Sequence, residues 1–153
     1  MPNEIERKFL VRGDAWRGQG VPERIGQGYL RTAGPATVRV RIAGDRGFLT
    51  IKGPTRGISR SEFEYQIPLP DARALLDTLC DRQIEKLRHR IRAGAHTWEV
   101  DEFQGDNAGL VVAEIELASE DEPFERPAWV GDEVTADPRY RNSALARRPF
   151  RTW

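Results

Sequence analysis

The sequence has little of several features that mark well-known classes of protein. Cys80 is the only cysteine, so an intrachain disulfide is impossible, and with two histidines there is no array of the kind that zinc sites use. Lysine plus arginine and aspartate plus glutamate number 24 each, which leaves no basic excess for general nucleic-acid or membrane-surface binding. No apolar run approaches ~18 residues, so no membrane-spanning helix is predicted.

The N-terminus and the length of the chain predict a cytoplasmic protein of one domain. The N-terminus is charged at once and has no apolar stretch, so we expect no signal peptide and a cytoplasmic location. A chain of 153 residues fits one domain, which we predict to span residues 1–153. Charged residues make up 31% of the sequence, above an average of ~25%, so charge is expected to serve more than solubility.

Alternation of apolar and polar residues is the dominant pattern. It predicts about eight strands, over residues 4–9, 27–31, 37–42, 48–52, 59–67, 84–92, 97–101 and 112–117. Short turns such as residues 43–47 imply antiparallel neighbours. Two segments have helical spacing instead, residues 71–82 with Asp71 as N-cap and residues 138–148. Residues 120–137 are acidic, contain proline and are interpreted as a connector.

The charges lie in blocks of one sign on one face of each strand. Residues i and i+2 share a face, so Glu4, Glu6 and Lys8 point the same way, as do Arg39 and Arg41. Like charges at this spacing lie roughly 6–7 Å apart, which costs roughly 2–3 kcal/mol at an effective dielectric of ~20. A solvated outer face is the ordinary explanation for any single strand. Taken together, the strands place acidic blocks and basic blocks on one face, which favours a binding surface, since a face made for solubility intersperses its signs.

About eight antiparallel strands can close into a barrel. If the charged face lies inside, the barrel holds a polar channel in which metal ions and an anion balance the acids and bases. We therefore predict a mainly β (α+β) fold: an eight-stranded antiparallel β-barrel tunnel with a charged interior and a few helices packed outside.

An ordered set of motifs resembles one known family. The opening E-x-E-x-K resembles the signature of the CYTH superfamily, also called triphosphate tunnel metalloenzymes. The stretches "VRVRI", "LTIKG", "SRSEFEYQI", "EKLRHR", "WEVDEF", "VVAEIEL" and "RYRNSALA" follow in that family's order. The resemblance implies a tunnel that binds triphosphates with Mg²⁺ or Mn²⁺, and it is nearest to the short bacterial inorganic triphosphatases.

The resemblance also implies roles for individual residues. The metal-binding carboxylates are expected to be Glu4, Glu6, Asp101, Glu114 and Glu116, with oxygen ligands that suit hard cations. Asp101 has the alternative of a structural ion pair. The substrate-binding set is expected to be Lys8, Arg39, Arg41, Lys52, Arg60, Lys86 and Arg88, with Arg90 and Arg141 as weaker additions.

The residues expected to take part in the chemistry are Tyr29, Lys8 and Glu64. A free tyrosine titrates near ~10, so Tyr29 serves as a proton acceptor only if cations favour its ionised form; a structural role at the tunnel wall is the alternative. Glu62 and Glu64 either reach a second metal or hold the basic residues. His89 alternates outward from Arg88, and we expect it at the surface.

The expected activity is metal-dependent hydrolysis of a terminal phosphoanhydride of inorganic triphosphate, and nucleoside triphosphates are further possible substrates. A class IV-type adenylate cyclase, a thiamine triphosphatase and a non-catalytic polyphosphate-binding module stay open as alternatives. The expected partner is a small polyanionic substrate, with no nucleic acid and no membrane. A homodimer is one option for the oligomeric state.

Overall fold

The structure, a computed structural model, describes residues 2–153 and is built mainly from strands. The strands are β1 (Asn3–Val11), β2 (Glu23–Leu30), β3 (Thr37–Ala43), β4 (Arg46–Lys52), β5 (Ser59–Ile67), β6 (Gln83–Ala93), β7 (His96–Phe103), β8 (Val111–Glu116) and β9 (Val130–Glu133). The α-helices are α1 (Leu69–Thr78) and α2 (Asn142–Arg147). The helices within residues 2–153 are all too short or too polar for a membrane span.

Eight of the strands close on themselves. Their hydrogen-bonded order is β5-β4-β3-β2-β6-β7-β8-β1, and β1 pairs with β5 to complete the ring. Every pairing is antiparallel, so the predicted eight-stranded antiparallel barrel is confirmed. β1 is long enough to pair with β5 near Glu4 and with β9 near Val11.

The outer wall of the barrel is apolar and covered, as the alternation predicts. On one side Phe9, Trp98 and Ile115 are buried beneath Trp16 and Trp129, which lie in the connecting segments. On another side α1 packs on β3 and β4 through Ala72 and Leu76. This cover removes from water much of the apolar half of the alternating strands, although Ile51 of β4 and Tyr65 of β5 stay exposed. Burial of that apolar surface is the main driving force for closing the barrel.

The second helix, α2, packs at one end of the barrel and not on its outer wall. Leu145 of α2 packs with Ile84, Phe103 and Val112. Each of them lies two residues from an inward-facing charged residue of its strand (Lys86, Asp101 and Glu114, respectively) and therefore also faces inward. The C-terminal segment thus fills one end of the barrel with apolar side chains, whereas α1 lies outside as predicted.

Several local predictions differ from the structure. Residues 120–137, interpreted as a connector, contain the short strand β9. α1 begins at Leu69, and Asp71 lies in its first turn rather than at its N-cap, because Pro68 and Pro70 are compatible with a helix start. The predicted helix over residues 138–148 is divided into a 3₁₀ turn, Pro138–Tyr140, and α2.

His89 was expected at the surface, and this prediction is wrong. The side chain does face away from the interior of the barrel, but it is only 6% exposed. The ring of Trp16 covers it in an edge-to-face arrangement with ring centroids 4.9 Å apart. The alternation of β6 identifies the outer face, but it contains no information about the loop that folds over that face.

Candidate active site in the barrel interior

The interior of the barrel holds a cavity of about 240 Å³ lined mainly by ionised side chains. Its acidic lining consists of Glu4, Glu6, Glu62, Glu64, Glu99, Glu114 and Glu116. Its basic lining consists of Lys8, Arg39, Arg41, Lys52, Arg60, Lys86, Arg88 and Arg141. The charged faces of separate strands therefore meet around one space, because closing the sheet turns all the inward faces toward a common axis.

The structure brings together all but one of the residues expected in the site. Tyr29 lines the cavity with the acidic and basic groups, and Arg141 reaches it from the C-terminal segment. The exception is Asp101, which is 1% exposed and lies behind the lining. Of the weaker candidates, Arg90 is directed to Glu23 and Glu99 instead of the cavity.

Glutamates from two neighbouring strands face each other on one wall. The register of β1 and β8 places Glu6 opposite Glu116 and Lys8 opposite Glu114. Burial raises the pKa of Glu116, and the negative charges of Glu4, Glu62 and Glu6 raise it further. This wall is therefore rich in carboxylates that repel one another, and a cation placed among them would relieve that repulsion.

Glutamates of the lining hold two of its bases, Lys52 and Arg39, near the cavity wall. Lys52 Nζ lies 2.8 Å from Glu4 Oε2 and 3.3 Å from Glu62 Oε2. On the neighbouring wall an Arg39 nitrogen lies 3.3 Å from Glu64 Oε1, which also accepts a hydrogen bond from Thr50 at 2.8 Å. These contacts fix the positions of Lys52 and Arg39, and both side chains still line the cavity.

Asp101 is engaged by two cations deep in the barrel. Arg88 donates to both of its carboxylate oxygens, at 2.8 and 2.9 Å, and Lys86 Nζ lies 2.7 Å from Oδ2. Burial alone would raise the pKa of Asp101, but the charges of Lys86 and Arg88 lower it below its ordinary value. Of the two roles expected for Asp101, this arrangement favours the structural ion pair.

Burial also changes the pKa values of the basic groups around Asp101. It lowers the pKa of Lys86 to about 7, with the positive charges of Arg88 and Arg41 acting in the same direction against Asp101. Burial together with Arg39 and Arg88 lowers the pKa of Arg41 to about 10. Cations crowded in this way are stabilised by an anion, so this wall is suited to bind a polyanion.

Two residues with amide side chains were not among those predicted for the site: Gln27, which is buried, and Asn142, which lines the cavity. Gln27 is fully buried and donates to Tyr29 Oη at 2.9 Å, while its own oxygen accepts from Arg41 Nε at 2.9 Å. Asn142 accepts from Lys86 Nζ at 2.9 Å. Gln27 lies two residues before Tyr29 on β2, so the alternation of that strand places it on the same face as Tyr29 and could have identified it. Nothing in the sequence brings Asn142 to Lys86, 56 residues away.

The carboxylates present are suitable for a divalent cation. Among residues 2–153, no three Asp, Glu, His or Cys side chains are gathered closely enough to enclose an ion by themselves. Mg²⁺ is usually held by one or two carboxylates together with waters and substrate phosphates, rather than by a cage of protein ligands alone. The carboxylates around Glu116 repel one another, and all of their donor atoms are oxygens. Both properties suit a hard divalent cation.

Comparisons with known proteins agree with this geometry. The CYTH domain model matches residues 2–148. An inorganic triphosphatase of Acetivibrio thermocellus is 48% identical over 154 residues, which cover 100% of this chain and 99% of that protein. An inorganic triphosphatase of Nitrosomonas europaea is 39% identical over 151 residues, 94% of this chain and 96% of that one. A crystal structure of an inorganic triphosphatase has a TM-score of 0.68 at 36% identity, covering 93% and 96% of the two chains.

Proposed function

The chain belongs to the CYTH domain family, and we propose that it hydrolyses the terminal phosphoanhydride bond of inorganic triphosphate, releasing phosphate and pyrophosphate. The observation that carries this proposal is the cavity of about 240 Å³ in which lysines and arginines face glutamates inside a closed barrel. A chain of phosphates needs several cations at once, and the same space offers carboxylates for a metal ion. The inorganic triphosphatases that resemble this chain along their whole length support the assignment.

The basic residues bind and orient the phosphate chain in this proposal. Arg39, Arg41 and Arg88 each offer a planar group that can contact two phosphate oxygens, while Lys52 and Lys86 act as compact charges. Their placement on different strands holds the substrate along the cavity. Fixed cations of this kind stabilise the charge that develops as the terminal bond breaks.

The cofactor is a divalent cation, for which we propose Mg²⁺ or Mn²⁺. The residues that would hold it are Glu4, Glu6, Glu114 and Glu116, on the adjacent strands β1 and β8. When bound, such an ion withdraws charge from phosphate oxygens and favours attack at phosphorus. Asp101 is the remaining candidate ligand, and its contacts with Arg88 and Lys86 favour a structural role instead.

Attack by water on the terminal phosphorus requires that the water lose a proton. We assign the acceptor to Tyr29, which lines the cavity. Lys8, also in the lining and 3.7 Å from Glu114, stabilises negative charge near the reacting phosphate. Glu64, which is tied to Arg39 and Thr50, keeps Arg39 in position and is the second candidate to accept the proton.

A substrate panel tests the proposal. Phosphate release is measured from tripolyphosphate, ATP, thiamine triphosphate and long-chain polyphosphate, each with Mg²⁺ and with Mn²⁺ across a pH series. We expect tripolyphosphate to be hydrolysed with the highest kcat/KM and activity to disappear with EDTA. Cyclic AMP as the product from ATP would identify a cyclase, and preferred cleavage of thiamine triphosphate would identify a thiamine triphosphatase. Tight binding of tripolyphosphate without turnover under all conditions would identify a binding module.

Further proposals concern the chain as a whole. We propose that residues 1–153 fold as one domain, that the protein works in the cytoplasm, and that neither nucleic acid nor membrane is its partner. The equal numbers of basic and acidic residues support the last point. A homodimer stays a prediction, which light scattering on the purified protein checks.

A further inference from the structure

Asn142 lines the cavity from the first position of α2, and it has no role in the proposed reaction so far. Its side chain is a neutral carboxamide, which has an acceptor oxygen at one end and two N–H donors at the other. What this residue offers to a bound molecule therefore depends on which end of the amide faces the wall of the barrel and which end faces the cavity.

The amide oxygen is turned to the wall of the barrel. Lys86 Nζ lies 2.9 Å from Asn142 Oδ1, and an ammonium group can only donate, so this atom of Asn142 is the oxygen. Gln27 Nε2 donates to the same oxygen at 3.3 Å. The orientation of Gln27 is itself fixed, because its own oxygen accepts from Arg41 Nε at 2.9 Å. Two separate donors thus assign the oxygen of Asn142.

The amide nitrogen is left without a partner from the protein. Among residues 2–153, no atom accepts a hydrogen bond from Asn142 Nδ2, and this nitrogen is not one of the fully buried polar atoms that lack a partner. It is therefore open to solvent, and the cavity is the space that Asn142 lines. With the oxygen held by Lys86 and Gln27, the N–H groups are directed away from these two residues.

An anionic oxygen is the natural acceptor for donors in this place. The neighbouring bases Lys86 and Arg41 attract a polyanion into the cavity, and a hydrogen bond to an ionised acceptor is stronger than one between neutral groups. We propose that Asn142 is a further substrate-binding residue: its Nδ2 donates to a phosphate oxygen of the bound triphosphate, and its oxygen holds Lys86 beside the same phosphate chain. This inference rests on the proposed function for the identity of the substrate.

Nuclear magnetic resonance observes the proposed hydrogen bond directly. The chain has three asparagines, Asn3, Asn107 and Asn142, and Asn142→Leu identifies the side-chain amide signals of Asn142 by their loss. Tripolyphosphate is added to isotopically labelled protein in EDTA, so that metal and turnover are excluded. We expect the amide protons of Asn142 to shift downfield. Those of Asn107 should stay in place, because Asn107 is buried outside the cavity lining, where its oxygen accepts from the Phe150 backbone.

The shift separates direct binding from a structural role, since a residue that only supports the fold gains no hydrogen bond from the substrate. Unshifted Asn142 signals in a protein whose other signals respond to tripolyphosphate would overturn the inference. A protein in which no signal responds would overturn the proposed function and the inference with it. A protein that shows the Asn142 shift but releases no phosphate with Mg²⁺ or Mn²⁺ would overturn the proposed function alone.

The affinity for tripolyphosphate, measured by calorimetry in EDTA, is the second test. Asn142→Leu should raise Kd about tenfold, the effect of losing one hydrogen bond to a charged acceptor. In a Lys86→Met background the same substitution should still weaken binding, because the N–H groups contact the substrate themselves. Asn3→Leu is the matched control and should bind as the wild type does, since Asn3 lies outside the cavity lining and donates to Ser59. A loss that disappears in the Lys86→Met background would show that Asn142 acts only through Lys86, which would overturn the direct contact.

Discussion

Arg88 donates two hydrogen bonds to Asp101, at 2.8 and 2.9 Å, and both side chains are almost fully buried in the barrel. A buried pair of this geometry is expensive to break, because the partner that stays is an unpaired charge in a medium of low dielectric. The pair therefore favours a structural role for Asp101 over the role of a metal ligand.

Asp101→Asn should lower the free energy of unfolding by about 3–5 kcal/mol, the cost of breaking a buried ion pair. Urea unfolding in EDTA measures this value with metal excluded. Asp81→Asn is the control, because Asp81 pairs with Arg31 in a solvent-exposed position, where a loss of about 0–1 kcal/mol is expected. A stable Asp101→Asn variant that loses only metal affinity would contradict the structural role.

The pH dependence of the same pair has a defined sign. Because Lys86 and Arg88 lower the pKa of Asp101 below its ordinary value of 3.8, its contribution to stability is present above about pH 4. The contribution is lost as the pH falls through the lower, folded-state pKa. The difference in stability between wild type and Asp101→Asn should therefore shrink as the pH is lowered below about 4. A difference that stays constant into strong acid would contradict this linkage.

The titration of Lys86 predicts a further pH dependence of stability, in the alkaline range. Burial lowers its pKa from 10.5 to about 7, so between these values the unfolded chain binds more protons than the folded one. The free energy of unfolding should rise as the pH increases from about 7 to 10, and Lys86→Met should flatten that rise. Urea unfolding at several pH values measures both slopes. Arg31→Met, a substitution at an exposed site, should keep the slope of the wild type.

The carboxylates of β1 are predicted to be essential for activity. Glu4→Gln removes a charge from the acidic wall and leaves Lys52 without its closest partner. We expect phosphate release from tripolyphosphate to fall by about 100-fold or more, because metal binding and substrate positioning are both impaired. Glu85→Gln is the matched control, since Glu85 is an exposed glutamate on β6 outside the cavity lining. Activity of Glu4→Gln at the level of the control would exclude Glu4 from the site.

Packing of α1 on the outer wall depends on the absence of a side chain at Gly28. A Cβ atom there would lie 2.9 Å from Cys80 Cβ and 3.0 Å from Leu76 Cδ2. Gly28→Ala should therefore destabilise the fold by about 1–3 kcal/mol, the usual cost of overpacking. Gly26→Ala on the same face of β2 meets nothing within 4 Å and is the control. Thermal unfolding of both variants checks this prediction, and equal melting temperatures would contradict it.

Alternation in the sequence was enough to predict most of the strands and the inward faces of those strands. Glu4, Arg39, Lys52 and Glu114 were assigned to one charged surface because residues i and i+2 of a strand project the same way. This rule acts within each strand and needs no knowledge of its neighbours. The strand β9 was missed because a segment of four residues bounded by proline-containing loops carries too little alternation to be distinguished from a connector.

The partners of the charged groups were decided by the tertiary structure. Whether Asp101 meets a metal or Arg88 depends on the register of β6 against β7, and that register is set by the closed barrel rather than by either strand alone. His89 is buried because the loop carrying Trp16 folds over it, and Asn142 reaches Lys86 because α2 fills one end of the barrel. Alternation along each strand was sufficient to predict which side chains face inward, because it is a local property of the backbone. Only the closed fold decided which of them touch, since contacts between distant residues depend on how every strand is placed at once.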